Sequence, residues 1–157
     1  MAAVKVESSV TEWYGVRSNL KWGRDMKPKF LLIDDDKDVL IVAEAIFISL
    51  GCDVTLAYGG VEGLEQLSTP EKAGNFDAIF LDVMMPDMNG YEVLKIIKER
   101  DHTKQIPVIM LTARDRGNDI IEGYQHGADY YIPKPFNREQ LIFGVDLVLG
   151  NEETKLE

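Results

Sequence analysis

Cysteine is nearly missing from this 157-residue sequence: Cys52 stands alone, so no disulfide can form within the chain. A lone cysteine reads as a small buried hydrophobe and suits a reducing compartment. Long apolar runs are also missing; none approaches the roughly 18–20 residues needed to span a membrane. The N-terminus has no charged region followed by an apolar one, so no secretory signal is visible and a cytoplasmic protein is expected. Histidine is confined to His102 and His126. Basic residues are outnumbered 27 to 17, for a net charge of −10, which argues against a dedicated nucleic-acid surface. What is present is ordinary for a soluble globular protein, 45% hydrophobic and 28% charged. The length favours one domain with a full core.

The charge is uneven. Residues 1–29 hold Lys5, Arg17, Lys21, Arg24, Lys27 and Lys29 against Glu7, Glu12 and Asp25, a net +3 that leaves −13 for the rest. This segment also holds both tryptophans, Trp13 and Trp22. Disordered tails are usually poor in aromatics, so residues 1–28 read as an extension, either a docked arm or a linker. Residues 29–150 form the expected domain, and 151–157 a polar tail.

Within the domain, apolar runs alternate with helical patterns. Phe30–Ile33, Ala78–Leu81 and Val108–Leu111 are short and continuously apolar, as strands buried on both faces of a parallel sheet are. Asp53–Tyr58 and Asp129–Ile132 are more polar and suit sheet edges. The first helix places Val39, Val42, Ala43, Ile46 and Leu50 on one face and stops at Gly51. A short second helix covers Val61–Leu67 and leads into a Ser-Thr-Pro loop. A third covers Tyr91–Arg100, with Leu94 and Ile97 inward and Lys95, Lys98 and Glu99 outward. A weaker fourth covers Asn118–His126. Asn137 caps a fifth, whose core side carries Leu141, Val145 and Val148. Five β-α units predict a doubly wound α/β sheet.

Four of these strands end in polar residues that a strand does not need: Asp34-Asp35-Asp36, Asp82, Thr112 and Lys134. In a doubly wound sheet the carboxyl ends of the strands share one edge, and ligands bind there. Taken alone, Asp82 could be a helix cap, a metal ligand or a nucleophile. Carboxylates gathered at one place raise each other's pKa values unless a cation holds them ionised. Hard oxygen ligands suit Mg²⁺ or Mn²⁺, and the two histidines lie away from these strand ends, so zinc is not expected. An ammonium and a hydroxyl beside such an ion equip a site for phosphoryl transfer. A carboxylate can itself be the acceptor. Asp36 reads as a helix N-cap, and Asp38 favours the helix dipole. Asp87 and Asn89-Gly90 read as turn chemistry.

The segments FLLIDDDKDVL, IFLDVMMPDMNG, IPVIMLTA and GADYYIPKPF, in this order and spacing, resemble the response-regulator receiver domain of two-component signalling. The resemblance covers about Lys29–Leu149. It implies a flavodoxin-like sheet of five parallel strands in the order 2-1-3-4-5, flanked by five helices. It further implies that Asp82 accepts a phosphoryl group from the phosphohistidine of a sensor histidine kinase or a phosphotransfer protein. Asp34, Asp35, Asp82 and the backbone carbonyl of Met84 would hold Mg²⁺, with Mn²⁺ as an alternative. Thr112 and Lys134 would bind the phosphoryl oxygens, Tyr131 would switch with Thr112, and Met84 and Arg114 would line the site entrance. The Lys134-Pro135 bond is expected to be cis. The implied output is a change in the surface made by helix 118–126, the fifth strand and the fifth helix. That surface would serve a downstream protein or a homodimer, with no direct nucleic-acid or membrane contact. Such a module is a signalling domain, self-catalysing only the formation and hydrolysis of its own aspartyl phosphate.

One rival is an enzyme. FLLIDDDKDV also resembles the first motif of haloacid-dehalogenase-like phosphohydrolases, with Asp34 as nucleophile and Asp36 as acid/base. Position 38 is Asp where Thr or Val is expected, and this reading leaves IFLDVMMPDMNG without a role.

Overall fold

The computed structural model describes residues 27–113 and 126–150. The extension with Trp13 and Trp22, Arg114, the body of the expected helix 118–126 and the tail 151–157 lie outside the described residues.

Five strands form one parallel sheet: β1 (Lys29–Ile33), β2 (Asp53–Ala57), β3 (Ala78–Asp82), β4 (Val108–Ala113) and β5 (Tyr130–Lys134). Their order is β2-β1-β3-β4-β5. The described helices are α1 (Lys37–Ser49), α2 (Gly60–Gln66), α3 (Pro70–Ala73), α4 (Gly90–Glu99) and α5 (Arg138–Leu149). The three continuously apolar runs are the three inner strands, and the more polar runs are the two edges. Among the described residues no helix is long and apolar enough to cross a membrane.

Alternate strand residues feed two cores, because successive side chains leave opposite faces of a strand. Phe30, Leu32, Phe80, Ile109 and Ile132 meet α1 and α5. Phe30, Phe47 and Phe80 form a ring trio there, with centroids 4.9–5.6 Å apart. Leu31, Ile33, Ile79, Leu81 and Met110 meet α2 and α4 on the other side. Cys52 is buried, and burial pushes its thiol pKa up to about 12, as expected of an inert packing residue.

Several local expectations need correction. The buried face of α1 is Leu40, Ala43 and Phe47, while Val42 is exposed. The helix KDVLIVAEAIFIS is apolar nearly all round, so periodicity alone does not fix its rotation; packing of Phe47 against Phe30 and Phe80 does. Lys98 does not face solvent. Its Nζ donates to the carbonyls of Lys104 and Ile106 and pairs with Asp129 at 3.1 Å. The loop after α2 contains the helical turn α3, where the Thr69 hydroxyl accepts from the Lys72 amide and whose first position is proline. The fifth strand runs two residues further than its pattern implied, and Pro133 lies within it opposite Thr112. An edge strand tolerates this because its outer side needs no donor. Asp129 is displaced from that strand and accepts from the Val108 amide at 2.8 Å.

Candidate functional site

Asp34 continues the register of β1, its amide donating to the Ala57 carbonyl at 3.1 Å. It is fully buried, and its Oδ1 accepts from the Asp36 amide at 2.9 Å. Because Ile33 pairs with Leu81, Asp34 comes beside Asp82, the last residue of β3, itself 6% exposed. Asp35 is exposed at the rim. One ligand oxygen from each of Asp34, Asp35 and Asp82 lies within 4.8 Å of the others.

Asp36 is occupied differently. Its carboxylate caps α1, accepting from the amides of Asp38 and Val39 at 2.9 and 3.4 Å. A carboxylate committed to a cap is not free as an acid/base, which removes the phosphohydrolase arrangement.

β4 and β5 bring the remaining groups. Thr112 is buried one position beyond the pair Asp82–Leu111, and its hydroxyl makes a long 3.3 Å contact with the Ala113 carbonyl. Lys134 ends β5 at a cis bond to Pro135. Its ammonium donates to Asp82 Oδ1 at 2.9 Å and sits 2.7 Å from Asp34 Oδ2. Tyr131 is buried on the α2/α4 side of the sheet, and Tyr130 packs on Phe143 on the other. Met84 lies just past Asp82 and is 53% exposed.

Among the described residues, one ammonium between two buried carboxylates leaves the centre short of positive charge. Burial is the main cause that raises the Asp82 pKa to about 7; the hydrogen bond from Lys134 opposes this, and the charge of Asp34 adds to it. Burial acts to lower the Lys134 pKa, but its close pairing with the Asp34 and Asp82 carboxylates outweighs burial and raises it. The buried Asp34 Oδ2 accepts no well-aligned hydrogen bond; it is held by charge alone. An all-oxygen donor set, a carboxylate oxygen without a hydrogen bond and excess negative charge fit a hard divalent cation such as Mg²⁺.

The loop after Asp82 is tightly folded. Met84 and Asn89 form an antiparallel bridge, and the Gly90 amide donates to the Val83 carbonyl at 2.7 Å. Asn89 caps α4 through the Tyr91 amide. A Cβ at Gly90 would overlap the Asp82 carbonyl oxygen and crowd the Val83 Cα, so glycine lets α4 begin directly against Asp82.

Asp87 does more than turn the chain. Its carboxylate accepts from the Gly60, Val61 and Met88 amides at 3.2, 3.0 and 2.9 Å. These backbone bonds, Val61 foremost, hold its pKa below the ordinary value. It thereby caps α2 from across the site. The available signal was negative: α2 opens on Gly59-Gly60, which have no side chain to cap it.

Comparison with known proteins agrees with this geometry. Residues 30–146 match the family model described as the response regulator receiver domain. The chain is 38% identical over 121 residues to the transcriptional regulatory protein CpxR of Escherichia coli K12, covering 77% of this chain and 49% of CpxR. It is 36% identical over 114 residues to protein PilG of Pseudomonas aeruginosa, covering 73% of this chain and 82% of PilG. The chain thus spans about half the length of the CpxR relatives it matches. Among solved structures, the chemotaxis response regulator CheY4 of Vibrio cholerae aligns with a TM-score of 0.71 at 30% identity, covering 78% of this chain and 99% of CheY4. The receiver domain of Francisella response regulator 1452 aligns with a TM-score of 0.69 at 36% identity, covering 78% of this chain and 97% of that one.

Proposed function

This chain belongs to the response regulator receiver family, and from that membership we propose that Asp82 accepts a phosphoryl group from a partner's phosphohistidine. The partner is a sensor histidine kinase or a phosphotransfer protein, in the cytoplasm. The observation that carries the reading is the placement of Asp82, buried at the carboxyl end of β3 with Lys134 at 2.9 Å and Asp34 alongside.

Asp34, Asp35, Asp82 and the Met84 carbonyl would hold Mg²⁺, or Mn²⁺ in its place. The ion, when bound, supplies positive charge for the phosphoryl oxygens and keeps Asp82 ionised. An Asp82 oxygen attacks phosphorus, an O–P bond forms, the P–N bond breaks, and its electron pair stays on the imidazole nitrogen. Lys134 moves its ammonium from the acceptor carboxylate to a phosphoryl oxygen. The Thr112 hydroxyl exchanges its long contact with Ala113 for a charge-assisted bond to another. Movement of Thr112 biases the rotamers of Tyr131, and the surface made by residues 118–126, β5 and α5 shifts population. That surface acts on a downstream protein or a second copy, without direct nucleic-acid or membrane contact. Met84 and Arg114 line the entrance and tune hydrolysis. Residues 29–150 are the receiver unit, between the extension 1–28 and the tail 151–157. The chemistry is confined to the domain's own aspartyl phosphate.

Incubation with a small phosphodonor and Mg²⁺ tests the reading. One acid-stable, base-labile phosphate mapped to Asp82 by mass spectrometry is the expected result. Undiminished incorporation in Asp82→Asn overturns it.

A further inference from the structure

Helix α1 is apolar on both sides. Its inner face packs Leu40, Ala43 and Phe47 into the core. Its outer face carries Ile41, Val42 and Ile48, exposed at 59%, 51% and 58%, with Ala45 also exposed between them. Ile41, Ala45 and Ile48 follow the i, i+4, i+7 spacing of a single stripe, and Val42 adjoins it. A surface helix normally turns charged and polar residues outward, and a helix apolar all round is covered all round.

The described chain begins beside one end of this stripe. The Asp53 amide donates to the Pro28 carbonyl at 2.8 Å. Three residues upstream of Asp53 is Leu50, the C-cap of α1, and the Gly51 and Cys52 amides bond back to Ile48 and Phe47. Pro28 therefore leaves the domain next to the C-terminal end of α1. Residues 1–26 of this sequence precede Lys27, among them Val10, Trp13, Val16, Leu20 and Trp22. Trp22 lies six positions before Pro28, a reach of at most about 20 Å. A 13-residue helix such as α1 is also about 20 Å long. Any point on the stripe is thus within range of Trp22, and Trp13 has slack to spare.

We propose that the outer face of α1 is covered by residues 1–26 of the same chain, with Trp13 and Trp22 supplying the apolar contact. Three features favour this occupant over a second copy. The exposed stripe offers on the order of 300 Å² of apolar surface, an ordinary functional patch but well short of the roughly 800 Å² per partner of a stable dimer. A tethered segment acts at an effective concentration of order millimolar, so a modest patch suffices to hold it. The segment carries four basic residues against three acidic, +1 of the chain's −10, so it approaches a remainder of net −11.

Trp13 and Trp22 are the only tryptophans, so emission excited at the red edge, beyond tyrosine absorption, reads the segment alone in the intact chain. The expected result is blue-shifted emission, protected from acrylamide. In Ile41→Glu/Ile48→Glu it moves to longer wavelength with several-fold greater quenching, while circular dichroism stays unchanged. Ile41→Gln, a milder change, should shift emission the same way by less. Val61→Glu, at an exposed apolar position on α2 on the other side of the sheet, leaves emission unchanged. Water-exposed emission in the unmodified chain overturns the proposal. So does blue-shifted emission that ignores the α1 substitutions, or that appears only with dimer in sedimentation.

Discussion

The ammonium of Lys134 lies 2.9 Å from Oδ1 of Asp82, a residue 52 positions earlier in the chain. The contact joins strands that are not neighbours, since β4 runs between them. Asp34 completes the group at 2.7 Å from the same nitrogen. In the absence of a divalent ion this lysine is the main counterweight to two buried acids. Lys134→Gln should therefore destabilise the metal-free domain by about 1–3 kcal/mol, since removing one partner leaves buried charge uncompensated. Urea unfolding in a chelator reads the loss, and added Mg²⁺ should restore more stability to the variant than to the parent.

Asp82 gives a pH dependence of unusual sign for a carboxylate. Its folded pKa is raised from 3.8 to about 7, so the folded state binds the proton more tightly than the unfolded chain. The resulting stability is present below about pH 4 and is lost as pH rises through about 7. Asp82→Asn removes this dependence. Without divalent ions the variant should gain stability relative to the parent as pH rises from about 5 to 8, by on the order of 1–2 kcal/mol. Parallel unfolding curves at the two pH values check it. Mg²⁺ affinity of the parent should rise over the same range, because the proton and the ion compete for one carboxylate.

Gly90→Ala should cost about 1–3 kcal/mol, the usual penalty of forcing atoms into filled space. The added methyl meets the Asp82 carbonyl and Val83, both backbone, so either α4 or Asp82 must move. Slower phosphate uptake from a small donor, together with a lower thermal midpoint, is the expected pair of results.

Asp87→Ala should destabilise by about 1 kcal/mol through loss of a helix cap. The depressed pKa of Asp87 places its contribution above about pH 4, lost as pH falls through the lower folded value. Asp87→Asn keeps an acceptor oxygen and should recover part of the stability. Thermal unfolding at neutral pH distinguishes the two variants.

The sheet and the gathering of polar residues at its edge were largely legible in the sequence because each is written in short runs. Phe30–Ile33, Ala78–Leu81 and Val108–Leu111 must be covered on both faces, so they occupy the centre, and their terminal polar residues meet on one edge. The rotation of α1 was not legible, since Val42 and Phe47 are equally apolar and tertiary packing alone selects Phe47. Lys98 looked outward by pattern, yet the unfilled carbonyls of Lys104 and Ile106 draw its ammonium in. The double embrace of Lys134 by Asp34 and Asp82 was not legible either, because it depends on the register of four strands at once.

The cap that Asp87 places on α2 makes two distant amides into local gauges. Gly60 and Val61 share their protons with a carboxylate carried by the loop that leaves Asp82. Whatever rearranges that loop must loosen or tighten these two bonds. Their nuclear magnetic resonance shifts and exchange rates therefore follow the state of Asp82 and its loop from outside the carboxylate cluster, with no label attached to the site itself.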